Sequence, residues 1–211
     1  MLRFVFMLTF SLLTLVAPLP AQTPEGWKVR ADQSTSASDP DDVPDLTVVT
    51  MGKGFRATGG PAGTFWNPAN RVMGNYVAKA TFNLMKPSGH VNYYGLIFGG
   101  ADLEGAGQKY IYFLVAQNGM FIIRSRVGEK VQDVQARTAH MAIRQPGADG
   151  RSTNTLEVRV AGNTISYVVN GTVVHTTPKS GATAATDGIA GVRVNHVLDV
   201  HVENFEVSRQ S

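Results

Sequence analysis

In NTLEVRVAGNTISYVVNGTVVHT (154–176), apolar residues recur at every second position on either side of Gly162-Asn163 and Asn170-Gly171. Gly and Asn tolerate the positive φ of the tight turns that join antiparallel strands, so the stretch predicts a three-stranded meander. The two turns fix a register. Val169 faces Thr172, Val168 faces Val173 and Tyr167 faces Val174, while Ala161 faces Thr164, Val160 faces Ile165 and Val158 faces Tyr167. One face then carries Leu156, Val158, Val160, Ile165, Tyr167, Val169 and Val174. The other carries Glu157, Arg159, Ser166 and His175. A slip of one residue would exchange the faces, so one apolar face predicts one side in a core.

The same period runs along most of the chain. A first short strand is expected over Trp27 to Ala31, then LTVVT, GFRATG and GTFWNP. NYVAKATFNLMK alternates Tyr76, Ala78, Ala80, Phe82 and Leu84 against Val77, Lys79, Thr81 and Asn83. NYYGLIFGGA, KYIYFLVAQNGMFIIRSRV and a short EKVQDV follow. A tight hairpin at Asn118-Gly119 puts Ile111, Phe113, Val115, Ile122, Arg124 and Arg126 on one face. Tyr110, Tyr112, Leu114, Ala116, Phe121, Ile123 and Ser125 take the other. Both faces are largely apolar, which places this hairpin mid-sheet. GIAGVRV and LDVHVENFEV finish the chain. In the last strand Leu198, Val200 and Val202 keep one parity and Phe205 and Val207 the other, so a β-bulge is expected near Glu203-Asn204. No segment of eleven or more residues holds a helical period. The pattern predicts an all-β sandwich or barrel.

Length and composition narrow the setting. A chain of 211 residues suits one sandwich domain, expected over 22–211, with 22–45 as an N-terminal strand and polar acidic loop and 46–211 as the sandwich. Arg3, the apolar run Phe4 to Val16 and APLPAQ have the layout of a signal peptide over 1–21. The apolar run falls short of the about 20 residues needed to span a bilayer, so no transmembrane anchor is expected after cleavage. The protein is then exported, to the periplasm or beyond. There is no cysteine, so burial alone must hold the domain together. Removing the leader lowers the formal charge from +3 to +2, and no run of Lys or Arg appears, which excludes a nucleic-acid partner. Asp39, Asp41, Asp42 and Asp45 could gather a structural calcium ion. Their spacing matches no calcium loop, and a solvated acidic loop with no cofactor is the expectation.

YYGLIFGG, KYIYFLVAQNGMFIIRSR, NTLEVRVAGNTISYVVNGTVV and VENFEV, in that order, resemble the concanavalin A-like lectin/glucanase superfamily. This includes laminin-G-like jelly rolls and the 3-keto-disaccharide hydrolase domain family. The resemblance covers roughly Asn75 to Val207. It implies a two-sheet antiparallel jelly-roll sandwich of about 12–14 strands with little helix. Ligands would lie on the concave face or at rim loops. These motifs are core strands and turns, so they speak for fold more than function.

Glycosidases of that superfamily carry carboxylates at alternate positions of one strand. The nearest imitation here is Asp199-x-His201-x-Glu203, opposite Leu198, Val200 and Val202, and it is expected to be a solvated strand face. Asp102 and Glu104 share a Gly-rich loop and are expected to face solvent. His90, His140, His175, His196 and His201 are scattered singly, and no serine has a nucleophile elbow. Sugar recognition asks instead for aromatic rings with amide, hydroxyl or guanidinium neighbours. Trp66, Asn92, Tyr93, Tyr94, Tyr112, Arg124 and Arg126 are the candidates, with Trp66 as the stacking platform. The expectation is an exported non-catalytic module that binds glycan or polysaccharide. The alternatives are a hydrolase of the 3-keto-disaccharide type and a structural or protein-binding envelope domain.

Overall fold

The computed structural model describes residues 23–32 and 46–210. The leader-like segment and the acidic loop with Asp39, Asp41, Asp42 and Asp45 lie outside the described residues. Among those described, fourteen strands form: β1 (Lys28–Ala31), β2 (Thr47–Met51), β3 (Gly54–Thr58), β4 (Gly63–Val72), β5 (Tyr76–Lys86), β6 (Tyr93–Ala101), β7 (Lys109–Ala116), β8 (Met120–Val127), β9 (Lys130–Ala139), β10 (Ser152–Ala161), β11 (Thr164–Val169), β12 (Thr172–Pro178), β13 (Gly188–Val194) and β14 (Asp199–Arg209). They build two antiparallel seven-stranded sheets. Sheet A runs β1-β4-β13-β6-β7-β8-β9, and sheet B runs β12-β11-β10-β5-β14-β3-β2. No described helix is long and apolar enough to cross a membrane.

The inner faces of the two sheets meet in the main core. Phe82, Leu84, Leu156, Val158, Val160, Ile165 and Tyr167 from sheet B pack with Leu96, Phe98, Phe113, Phe121, Ile123 and Val192 from sheet A. Val158, Ile165 and Tyr167 are fully buried while Arg159 is exposed, so the faces of β10 and β11 are as the turns predict. The β10–β11 register agrees pair for pair. Around Asn170-Gly171 both residues have positive φ, 50° and 83°, the turn this hairpin needs.

The β11–β12 register agrees only at the turn. It shifts between Tyr167 and Val168, so Tyr167 pairs with His175 and not with Val174. The slip carries the His175 ring to 6.1 Å from Tyr167 and 6.2 Å from Phe121, away from the polar face expected for it. Burial there holds its pKa below the usual histidine value. At the other end of the chain, β14 changes register between Glu203 and Glu206, with Asn204 at φ 51°. That is the bulge the parity change requires. It lets Val200, Val202, Phe205 and Val207 all meet the core.

The hairpin at Asn118-Gly119 corrects the sequence reading. The loop holds three residues, with Gly119 at φ 79° donating its N–H to the Ala116 carbonyl at 3.1 Å. Tyr112 therefore pairs with Arg124 and Tyr110 with Arg126. One extra loop residue moves both arginines off the Ile111–Phe113–Val115 face and onto the Tyr110–Tyr112 face.

Candidate functional site

Sheet A has a second buried layer on its outer face. Trp66, Tyr93, Ile97, Leu103, Tyr110, Tyr112, Leu114, Ala116 and Ile122 cluster there, with Ile189 packed against them. Cross-strand pairing lines up Lys28, Trp66, Gly191, Ile97, Tyr112, Arg124 and Asp133 in one row. The next row holds Arg30, Thr64, Arg193, Gly95, Leu114 and Ile122. The β6–β7 loop is tied to this face at its β1 end. Lys28 bonds Glu104, and Arg30 donates to the carbonyls of Leu103 and Gly105.

At the centre lies Arg193, whose side chain is nearly enclosed. It pairs with Gly95, where a Cβ would meet the Phe113 carbonyl oxygen at 2.3 Å, so the place must stay bare. The guanidinium reaches the Tyr112 ring, 5.8 Å from its centroid. It also donates to Thr64 Oγ1 at 3.1 Å, Tyr110 Oη at 3.2 Å and Asp32 Oδ2 at 2.5 Å. Arg126 donates to the same Asp32 oxygen at 3.2 Å. Two guanidinium groups thus share one carboxylate. Burial works against the charge on Asp32, but Arg193 and Arg126 outweigh it and hold the carboxyl below its usual range. Burial raises the Tyr112 hydroxyl pKa against the pull of Arg193 and Arg124, so it stays protonated.

The upper layer of the face is more open. Arg124 donates to Asp133 Oδ1 at 2.5 Å, with about a third of its side chain exposed. The Arg137 guanidinium sits 6.0 Å from the Tyr93 ring centroid.

The candidate residues divide accordingly. Tyr93, Tyr112, Trp66, Arg124 and Arg126 all come to this one face. Trp66, expected as an open stacking platform, is 2% exposed and lies under the second cluster, because its strand position faces Gly191 and Ile97 in a packed row. Tyr94 does not join them. Neighbouring strand residues face opposite ways, so it enters the main core against Phe82 and accepts a hydrogen bond from Asn154. Asn92 is buried in a rim turn, donating to Ser88 Oγ at 3.1 Å. Asp32, Arg193 and Arg137 escaped the sequence reading. The available signal was GIAGVRV, where a charge falls in an otherwise apolar strand and therefore demands a buried partner.

The Asp199–His201–Glu203 face is not solvated as expected. Asp199 and His201 are buried. Arg56 grips both oxygens of Asp199, Asn83 donates to Glu203 at 2.9 Å, and His201 Nε2 lies 3.1 Å from the Met51 carbonyl. Its groups are committed to one another. His90 and His196, distant in sequence, bring their rings to 5.4 Å at the rim. Glu104 is exposed and ion-paired with Lys28.

This architecture has relatives among solved structures. The carbohydrate-binding module CBM66 from Bacillus subtilis superposes with a TM-score of 0.62 at 10% identity, covering 90% of this chain and 99% of its own. The fold shared is a two-sheet antiparallel jelly-roll sandwich. A Bacillus subtilis protein of unknown function with a galectin-like fold reaches 0.61 at 12% identity, covering 87% of this chain and 89% of its own. A Bacteroides ovatus mixed-linkage glucan GH16 protein in complex with its G4G4G3G product reaches 0.56 at 11% identity, covering 90% and 97%. No family model matches the sequence, and no curated protein matches it. At these identities the jelly roll shared is one of fold.

Proposed function

We propose that the protein is a non-catalytic carbohydrate-recognition module whose ligand lies on the outer face of sheet A. The observation that carries this reading is the make-up of that face. Four aromatic rings, Trp66, Tyr93, Tyr110 and Tyr112, form a packed floor, and Arg124, Arg126, Asp133 and Arg137 form a partly open layer above them. Such a floor fixes the arginines in place before a ligand arrives, which lowers the entropic cost of pairing them with sugar hydroxyls. The likeness in fold to a carbohydrate-binding module supports the same reading.

Recognition is favoured over hydrolysis by the state of the acids on this face. Hydrolysis of a glycoside wants one carboxyl group with a raised pKa to act as the proton donor. Asp32 is shifted the other way, and Asp133 and Glu104 are each bound to a cation. Export is part of the proposal and rests on the leader-like run Phe4 to Val16.

A glycan array probed with residues 22–211 tests the reading. Arg124→Ala is expected to weaken the strongest signal about tenfold, since a charge-assisted hydrogen bond is removed, while the β-sheet circular dichroism stays unchanged. A folded protein that binds no glycan, or that turns over a 3-keto sugar, would reject it.

A further inference from the structure

One end of the sheet A face holds polar groups that the fold itself does not use. Tyr93 is nearly buried, and its hydroxyl has no hydrogen-bond partner. The Asn195 N–H donates to the Tyr93 carbonyl at 2.8 Å, so the two residues are cross-strand neighbours. By alternation from Arg193, the Asn195 side chain shares the outer face, and its Oδ1 is also buried without a partner. Two adjacent unpaired polar atoms are costly, about 1–3 kcal/mol each for a buried group. Such groups in a native structure call for a partner, an ordered water, an ion or a bound molecule.

Arg137 stands over the Tyr93 ring, and among the described residues no carboxylate pairs with it. The charge around it is also unbalanced. Lys28, Arg30, Arg124, Arg126, Arg137 and Arg193 meet only Asp32, Glu104 and Asp133, a surplus of three positive charges among the described residues of this face. That equals the formal surplus of the entire chain. Low local dielectric makes such a surplus a stronger magnet for an anion than the same charges in water.

We infer that Arg137, Tyr93 and Asn195 form a subsite for a sugar bearing a negative group, a carboxylate or a sulfate. The anion pairs with the Arg137 guanidinium, and neighbouring hydroxyls reach Tyr93 Oη and Asn195 Oδ1 once the side chains that close these atoms off from solvent shift. This rests on the glycan reading above and narrows it to acidic polysaccharides.

The test measures binding of residues 22–211 to four soluble polymers by affinity electrophoresis: polygalacturonate, alginate, dextran sulfate and a neutral mixed-linkage glucan. A uronate polymer or the sulfated one is expected to bind about tenfold more tightly than the neutral one, with weakening in high salt. Arg137→Ala should remove that tenfold advantage, and Tyr93→Phe a smaller part of it. Lys53→Ala, which deletes an equal charge from the β2–β3 turn, should leave it intact. Retention of uronates but not sulfate identifies the carboxylate as the group read, and the reverse identifies sulfate. If the neutral glucan binds as well and Arg137→Ala changes nothing, this inference fails while the glycan reading stands. If Lys53→Ala weakens binding as much as Arg137→Ala does, only non-specific attraction is at work and the subsite is rejected. No binding to any of the four, together with a silent glycan array, overturns both.

Discussion

The outer faces of the two sheets share a backbone pattern and treat polar groups in opposite ways. On sheet B, Thr81 and Thr155 meet at 3.2 Å, Thr153 donates to Asn83 at 2.8 Å, and Lys79 lies between Glu157 and Glu206 at 3.8 and 3.9 Å. Arg56, Lys79 and Arg159 are matched by Glu157, Asp199, Glu203 and Glu206, and most of these pairs touch water. On sheet A the corresponding face is apolar beneath, carries an excess of guanidinium groups, and encloses its central ion pair. A sandwich needs only one buried face per sheet. The second buried layer on sheet A is extra order, and it is the face on which the proposed recognition site rests.

The largest expected effect comes from that layer. Trp66→Ala should cost about 4 kcal/mol in urea unfolding, the usual toll of emptying a large aromatic site. Lys79→Ala at the centre of the sheet B face should cost under about 0.5 kcal/mol. Equal losses from the two would erase the difference between the two faces.

Next come the paired charges. Arg193→Ala leaves Asp32 in a poorly hydrated place with Arg126 as its remaining partner, and about 3 kcal/mol should be lost. Arg56→Ala leaves the buried Asp199 carboxylate without that cation, but it opens the group to water on the exposed side where Arg56 lay, and about 1 kcal/mol is expected. The ordering of the two variants by chemical denaturation is the quantity to read. An Arg56→Ala loss equal to or above that of Arg193→Ala would show that enclosure does not set the weight of these pairs.

The smallest effect appears in acid. The Asp32 carboxyl is held below its unfolded value, so its contribution is fully present above the ordinary carboxylate range, near 3.9. It fades as pH falls through the lower folded value. Asp32→Asn should flatten that part of the acid-unfolding curve. His175 acts in a higher window. Its folded pKa lies below 6.5, so stability should begin to fall as pH drops under that value, and His175→Gln should remove the slope. An unchanged curve in either variant contradicts the assigned cause.

Strand order in the meander, the faces of β10 and β11, and the bulge in β14 were all legible in the sequence, because local turn residues and a period of two fix them. Two features were not. The Asn118-Gly119 loop has three residues where a two-residue reading fits the letters equally well, and only long-range packing decides between them. That single count determines whether Arg124 and Arg126 face the main core side or join Tyr110 and Tyr112. The slip at Tyr167–Val168 is likewise invisible locally, since Val174 and His175 can both satisfy a strand. The side-chain cluster on the outer face of sheet A was half legible. Tyr93, Tyr112, Arg124 and Arg126 were named from residue type, but Asp32 and Arg193 are 161 residues apart and meet only through the order of strands in sheet A.

The bulge at Asn204 makes residue number as binding as residue type in the final strand. Phe205 reaches Trp27, 5.3 Å between ring centres, only because one position before it is skipped in the pairing. A deletion there would turn Phe205 and Val207 outward and strand Trp27 without its partner. This strand thus tolerates exchange of letters far better than a change in their count.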